Sequence, residues 1–171
     1  SNHGKTMGQI EGSRRGGLLV STETTVIDDR GWVVTGSKSV FLRTRTKGTE
    51  RADKPNQDQG VAKFFDETPK FITYDDPCDI DLVILPAIDG NYSTQVAELN
   101  QFEKEFQTMH SVIDYLGLHV MLAPGIPMPI LDTDELRLKR ADFVHRFAVR
   151  PYYFIRAANP QLMMDEVEKL L

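Results

Sequence analysis

The sequence predicts an α/β chain of the α+β kind. Its centre is a mixed, mostly antiparallel β-sheet packed by one long helix, with an extended N-terminal arm and a short C-terminal helix. Three observations predict it. Short β-prone runs in the first half are separated by turn residues. The run Ile80–Leu85 is nearly all apolar, as a strand covered on both faces must be. Val96, Leu99, Phe102, Phe106, Met109, Ile113 and Leu116 recur at spacings of three and four, the period of a helix face.

Residues 1–17 carry five glycines and no apolar periodicity, and read as a flexible arm. Leu18–Val20, Thr24–Ile27 and Trp32–Thr35 are short β-prone pieces, with Asp28-Asp29-Arg30-Gly31 as the turn between the last two. Val40–Thr46 reads as a strand, and the polar stretch 47–60 as a long loop. Phe71–Tyr74 is a short strand. Ile80–Leu85 is a central one, ended by Pro86 to Gly90.

The helix spans Ser93 to Leu116, capped by Asn91 or Ser93, terminated by Gly117, and packed on the sheet by its apolar stripe. His119–Ala123 is a further short strand, followed by a proline-rich connection. Ala141 to Arg156 reads as a long strand. Phe143, Phe147, Val149, Tyr153 and Ile155 fall on one face, and Asp142, Arg146, Arg150 and Arg156 on the other. Pro151 places it at an edge or a bulge. Asn159-Pro160 is an N-cap and first-position pair for a last helix, Pro160 to Leu171. The domain organisation is therefore an arm (1–17), one α+β domain (18–158) and a C-terminal helix (159–171).

A chain of 171 residues with 40% hydrophobic and 26% charged residues is long enough for one ordinary core. No apolar run reaches the roughly 20 residues of a membrane span, and the polar start lacks the apolar region of a secretory signal. The one cysteine, Cys78, excludes an internal disulfide and a multi-cysteine zinc site, and suits a reducing compartment. A formal net charge of −5 argues against a general nucleic-acid coat. The charge is uneven: residues 1–60 hold 10 Lys and Arg against 7 Asp and Glu, and residues 61–171 hold 10 against 18. A basic front and an acidic back favour attraction between copies or to a charged partner.

The candidate chemistry is an acidic cluster, Asp75-Asp76-Pro77-Cys78-Asp79-Ile80-Asp81. Asp79 and Asp81, two apart at the head of a strand, place both carboxylates on one face. A magnesium-dependent phosphoryl site needs that arrangement. With Gly36-Ser37 upstream, the string CDIDLVIL is similar to the signature of the nucleotidyltransferase superfamily, and Asp142 stands as a third carboxylate. The spacing departs from that signature, because Ser37 and Asp79 lie 42 positions apart where the superfamily has roughly ten. The other reading of the cluster is a turn followed by a solvent-facing strand residue. Gly4-Lys5-Thr6 is no P-loop. His3, His110, His119 and His145 lack metal-ligand spacing, Cys78 has no local histidine, and no serine lies in a GxSxG elbow. Arg146, Arg150 and Arg156, interleaved with Tyr152 and Phe154, form a basic row that suits a phosphate track or a protein interface.

The order of elements from Asp79 to Ile155 resembles the tail-terminator and neck (head–tail joining) proteins of tailed bacteriophages. The matching pieces are DIDLVILPAIDGNYS running into the helix, then DYLGLHV, then ILDTDELRLKRADFVHRFAVRPYYF. Members commonly begin with a helix, whereas residues 1–60 here read as an arm with extra strands. The resemblance implies a virion structural subunit without an active site or cofactor, assembled in the host cytoplasm. Copies form a ring, commonly hexameric, that caps the tail tube or sheath at the head–tail junction. Its partners are other copies and the neighbouring tube, sheath or connector proteins. DNA passes the lumen without sequence-specific contact, and no membrane is involved. An exposed sheet edge suits such assembly, because unpaired N–H and C=O groups template association. The interface candidates are Arg14 and Arg15 in the arm, Arg43, Arg45, Lys47 and Arg51 around the long loop, and Arg146, Arg150, Tyr152 and Arg156 farther on.

Overall fold

The computed structural model describes residues 4–44, 59–64, 72–113 and 133–171. Among them lie four helices and three small sheets in an α+β arrangement, with pairing mostly antiparallel. Strands β1 (Thr25–Ile27) and β2 (Val33–Gly36) form one hairpin, and β3 (Ser39–Thr44) and β4 (Gln59–Phe64) another. The third sheet has the order β5-β7-β6, from β5 (Val83–Ile88), β6 (Gln95–Glu98) and β7 (Tyr152–Ala157). β7 is central, parallel to β5 and antiparallel to β6.

The arm is a helix, α1 (Lys5–Arg14). Gly4 and Gly16 bound it with φ of 95° and 96°. At its end the N–H of Gly17 donates to Gly12 O and that of Gly16 to Ser13 O. These are the two bonds of a Schellman turn, which needs a left-handed residue at Gly16. The glycines that suggest disorder serve docking. A Cβ on Gly8 would stand 2.5 Å from Met163 Cε, so a larger residue there requires the methionine tip to move.

The second helix, α2, runs Gln101–Ile113, shorter than the expected Ser93–Leu116 at its start, with residues beyond 113 outside those described. Residues 95–98 form β6 instead. Asn100 and Glu103 set the boundary through a reciprocal capping box. Asn100 Oδ1 accepts from the Glu103 N–H and Glu103 Oε2 from the Asn100 N–H. Asn91 is occupied in a turn with Asp89.

The expected long strand Ala141–Arg156 is corrected to helix α3 (Asp134–Phe147), a turn, and β7. Thr133 caps α3 by accepting from the Leu136 N–H, and Asp134 and Glu135 complement its dipole. Phe143 and Phe147, which strand alternation would put on one face, stack at 5.4 Å as an i,i+4 pair. The turn then leaves Val149 exposed and Pro151 just ahead of β7, where the missing N–H costs nothing.

β5 also runs past its expected end, straight through Pro86. Val83 N donates to Pro151 O and Asp89 N to Ala157 O, so the odd residues of β5 face β7. The position of Pro86 therefore points away from the ladder, where a strand tolerates proline. Of the short strand Phe71–Tyr74, Thr73 makes an isolated bridge to Leu19, and Phe71 lies outside the described residues. The expected strand His119–Ala123 lies outside them too, as do residues 45 and 46 of the expected strand Val40–Thr46 and residues 47–58 of the long loop; Gln59 and Gly60 begin β4.

The last helix, α4 (Pro160–Glu168), begins as the sequence predicts. Asn159 Oδ1 accepts from the Leu162 N–H, and Pro160 takes the first turn. It covers one face of the three-stranded sheet. Ile155, Ala157 and Met163 are buried there among Ile84, Ile88, Tyr153, Met164, Val167 and Leu170. α1 packs against α4, with its N-cap Gly4 close to the Ile88 side chain of β5. The opposite face carries Tyr152, whose hydroxyl meets Thr108 of α2, and α2 packs against α3.

Candidate functional site

The carboxylates singled out from the sequence do not converge. β5 starts at Val83, so Asp79 and Asp81 precede the strand, and strand alternation does not set their side chains on one face. Asp79 accepts from Arg150 Nη2 at 2.9 Å and from the Ile80 N–H at 2.7 Å. The Arg150 bond holds the Asp79 carboxyl below the usual carboxylate range. Asp81 is exposed. Asp142 lies on α3, paired with Arg146 at 2.9 Å. Among the described residues no three Asp, Glu, His or Cys side chains gather as a metal would require.

The arginine row is likewise taken apart by the helix–turn–strand sequence. Arg146 sits on α3, reaching Asp142 and the Asp29 carbonyl. Arg150 sits in the turn. It donates to Ile80 O and Asp79, and its guanidinium stands 4.5 Å from the centre of the Phe147 ring. It also lies against Gly31, where a Cβ would come within 2.6 Å of Nη2. That close approach, with φ of 91°, explains the glycine at the end of the Asp28–Gly31 turn. Arg150 thus ties three separate segments together. Tyr152 is 2% exposed, so it is a core residue. Burial pushes its phenol up.

Arg15 is an internal clamp. It bonds Glu11, Asp165, Glu168 and the Gln161 carbonyl, fixing α1 to α4, and the carboxylates of Glu168 and Asp165 raise its pKa. Arg14 is exposed, 3.7 Å from Glu11. Arg43 lies in β3, and Arg45, Lys47 and Arg51 lie outside the described residues.

One of the candidate arginines is left without a carboxylate among the described residues. Arg156 of β7 donates to Gln95 Oε1 of β6 at 2.6 Å and stacks on Tyr92 at 4.7 Å, with its Nε buried and unpartnered. It lies in the central strand, paired with Gln95 of the flanking strand β6. All four residues of β6 are exposed, and no described strand pairs with its outer edge.

The apolar stripe of α2 adds to this surface. Phe102 is 76% exposed and Phe106 57%, their rings stacked at 6.3 Å, while the buried residue of the helix is Thr108. The expectation that this stripe packs on the sheet is therefore corrected. A polar residue takes the inner position because its hydroxyl has two partners, Lys104 O and the Tyr152 hydroxyl. Sequence reasoning missed Thr108, Tyr92 and Gln95. The Asn100–Glu103 spacing was the signal that could have moved the start of the helix and freed residues 95–98 as a strand.

A second constellation, also missed, is structural. Lys38 Nζ bonds the carbonyls of Leu19, Val20 and Tyr74 and pairs with Asp75 at 3.1 Å, joining the chain after α1 to the segment before β5.

Comparison of the chain with protein-family models, with curated proteins and with solved structures gave no match in any of the three.

Proposed function

We propose that the chain is a structural subunit of a tailed-phage virion, of the tail-terminator or neck class, that assembles with its own copies into a ring at the head–tail junction. The observation that carries the proposal is the outward pair Phe102 and Phe106 of α2, exposed and stacked on each other, in the helix that follows β6, whose outer edge no described strand pairs. An open strand edge and neighbouring exposed aromatic rings are features of chains that complete their packing by association.

Two further facts bear on the resemblance. Residues 5–14 form helix α1, where the sequence alone reads as an arm without one. Against this, the long strand that supplied part of the resemblance is α3 followed by β7. The reading therefore leans on the open surface more than on the order of elements.

The test is the mass and shape of the full chain at high concentration, by light scattering and negative-stain imaging, alone and with assembled tail tubes. Rings of several copies, free or seated on a tube end, are the expected result. A chain that stays monomeric and binds no tube end overturns the reading.

A further inference from the structure

The backbone of β6 defines how its outer edge, unpaired among the described residues, can be used. Leu99 N donates to Tyr152 O, and the β6–β7 register pairs Ala97 with Phe154 and Gln95 with Arg156. Hydrogen-bonded and non-bonded pairs alternate along an antiparallel ladder. The odd residues of β6 therefore spend their N–H and C=O groups on β7. Those of Thr94, Val96 and Glu98 point outward, away from the sheet.

We infer that this edge pairs with the same edge of a second copy, antiparallel and about a two-fold axis at Val96. A two-fold pairing keeps matched side chains on one face only when the paired residue numbers sum to an even value. Centring on Val96 satisfies this condition and engages each outward group. Val96 exchanges both bonds with the partner's Val96, and Thr94 does so with the partner's Glu98.

Charge selects this register over the one centred on Ala97, and strand length selects it over the one centred on Gln95, which sets Glu98 opposite Tyr92 beyond the strand. Glu98 is the one charged residue of β6, and like charges close together across a ladder are destabilising. Centred on Val96, Glu98 faces the hydroxyl of the partner's Thr94, and the two carboxylates lie four positions apart along the ladder, roughly 13 Å at strand rise. Centred on Ala97, the carboxylates come within two positions of each other. The chosen register also sets Val96, exposed in one copy, against its equivalent. No proline or lysine of β6 blocks the approach.

Such a contact is isologous and closes on two copies, so the head-to-tail contact of a ring falls to another surface, such as the exposed Phe102 and Phe106 of α2. The ladder is short and below the size of a standard stable interface, which makes the pairing concentration-dependent.

The experiment is sedimentation equilibrium of the full chain from micromolar to millimolar concentration, with Val96→Lys, Val96→Cys and Ala97→Cys beside it. The expected result is a monomer–dimer equilibrium that Val96→Lys abolishes, because it sets two cations against each other. Under mild oxidation Val96→Cys cross-links as a dimer faster than Ala97→Cys, since directly paired Cα atoms about 5.5 Å apart fall within disulfide reach. The absence of a dimer at millimolar concentration overturns the inference. So does a dimer indifferent to Val96→Lys, or faster cross-linking by Ala97→Cys. If Val96→Lys loses its folded circular dichroism, the two cysteine variants decide alone. Rings that persist in Val96→Lys, where the pairing is lost, belong to another contact, so the two readings fail separately.

Discussion

Arg150 reaches Asp79 across 2.9 Å, joining the turn before β7 to the segment before β5, while its guanidinium covers the ring of Phe147. The pairing explains an aspartate that the sequence offered as a metal ligand. It also makes the stability of the chain sensitive to acid. The Asp79 carboxyl titrates lower in the folded chain than its ordinary value of 3.8, as do Asp28, held by the Trp32 N–H, and Glu105, held by Gln101 and His145. A folded pKa below the unfolded one means stability that is fully present above the unfolded value and lost as pH falls through the folded value. Urea midpoints measured downward from pH 5 should therefore fall steeply below about pH 4. Asp79→Asn should lower stability modestly at pH 7, where the charged carboxylate contributes, and flatten part of that fall. An unchanged acid limb in Asp79→Asn would remove the ion pair from the account.

Truncating the other partner should cost more than altering the aspartate. Arg150→Ala loses the bond to Ile80 O and the cover over Phe147 as well as the ion pair. A loss on the order of 1–3 kcal/mol is expected in denaturant unfolding. Arg150→Lys should recover only part of it, because one ammonium cannot serve both oxygens and stack on the ring.

The hydroxyls of Tyr152 and Thr108 meet in the core between the sheet and α2, and the Thr108 hydroxyl also has the Lys104 carbonyl within reach. Tyr152→Phe should cost about 1 kcal/mol. Thr108→Val should cost a similar amount, and the double variant less than the sum, since each removes the same bond. Additive losses in a double-mutant cycle would show that the two hydroxyls act independently.

The elements legible in the sequence are those with a local chemical mark. The last helix is announced by Asn159-Pro160, and the hairpin of β1 and β2 by Asp28–Gly31, and both stand where expected. The errors arise where one pattern serves two periods. In Ala141–Phe147 the aromatic residues 143 and 147 satisfy both alternation and the i,i+4 rule, and tertiary packing chose the helix. In Ser93–Leu116 the apolar period continues through a strand and a cap, so periodicity alone could not place the break at Asn100. The candidate site was legible only in its residue types. Which arginines remain open for a partner depends on carboxylates and carbonyls brought from up to 153 positions away, as with Arg15 and Glu168.

The helix hidden in the glycine-rich start depends on close contact with α4. Gly8 and Gly12 face Met163 and Met164, and Gly8 has no room for a larger side chain unless the Met163 tip moves. Gly8→Ala should be near neutral, with a gain in helix propensity of roughly 1 kcal/mol set against displacement of a flexible methionine end. Gly8→Leu should lose about 1–3 kcal/mol by overpacking. It should also speed amide exchange in residues 5–14 before any change in β5 or β7. Equal exchange in α1 of both variants would contradict the docking.

The register of β5 makes opposite demands on neighbouring residues. Position 86 directs its backbone away from β7, and position 87 lies between Val83 and Asp89, whose N–H groups both bond that strand. Pro86→Ala should therefore leave stability within about 0.5 kcal/mol of the parent, because no ladder bond is gained or lost. Ala87→Pro should remove a ladder donor from the core sheet and cost on the order of 3 kcal/mol. These opposite exchanges one residue apart thus read which edge of β5 is turned inward. If Pro86→Ala stabilised the chain strongly and Ala87→Pro were tolerated, the inward and outward sets of residues would have to be exchanged, and β5 would pair with β7 one residue out of the present register.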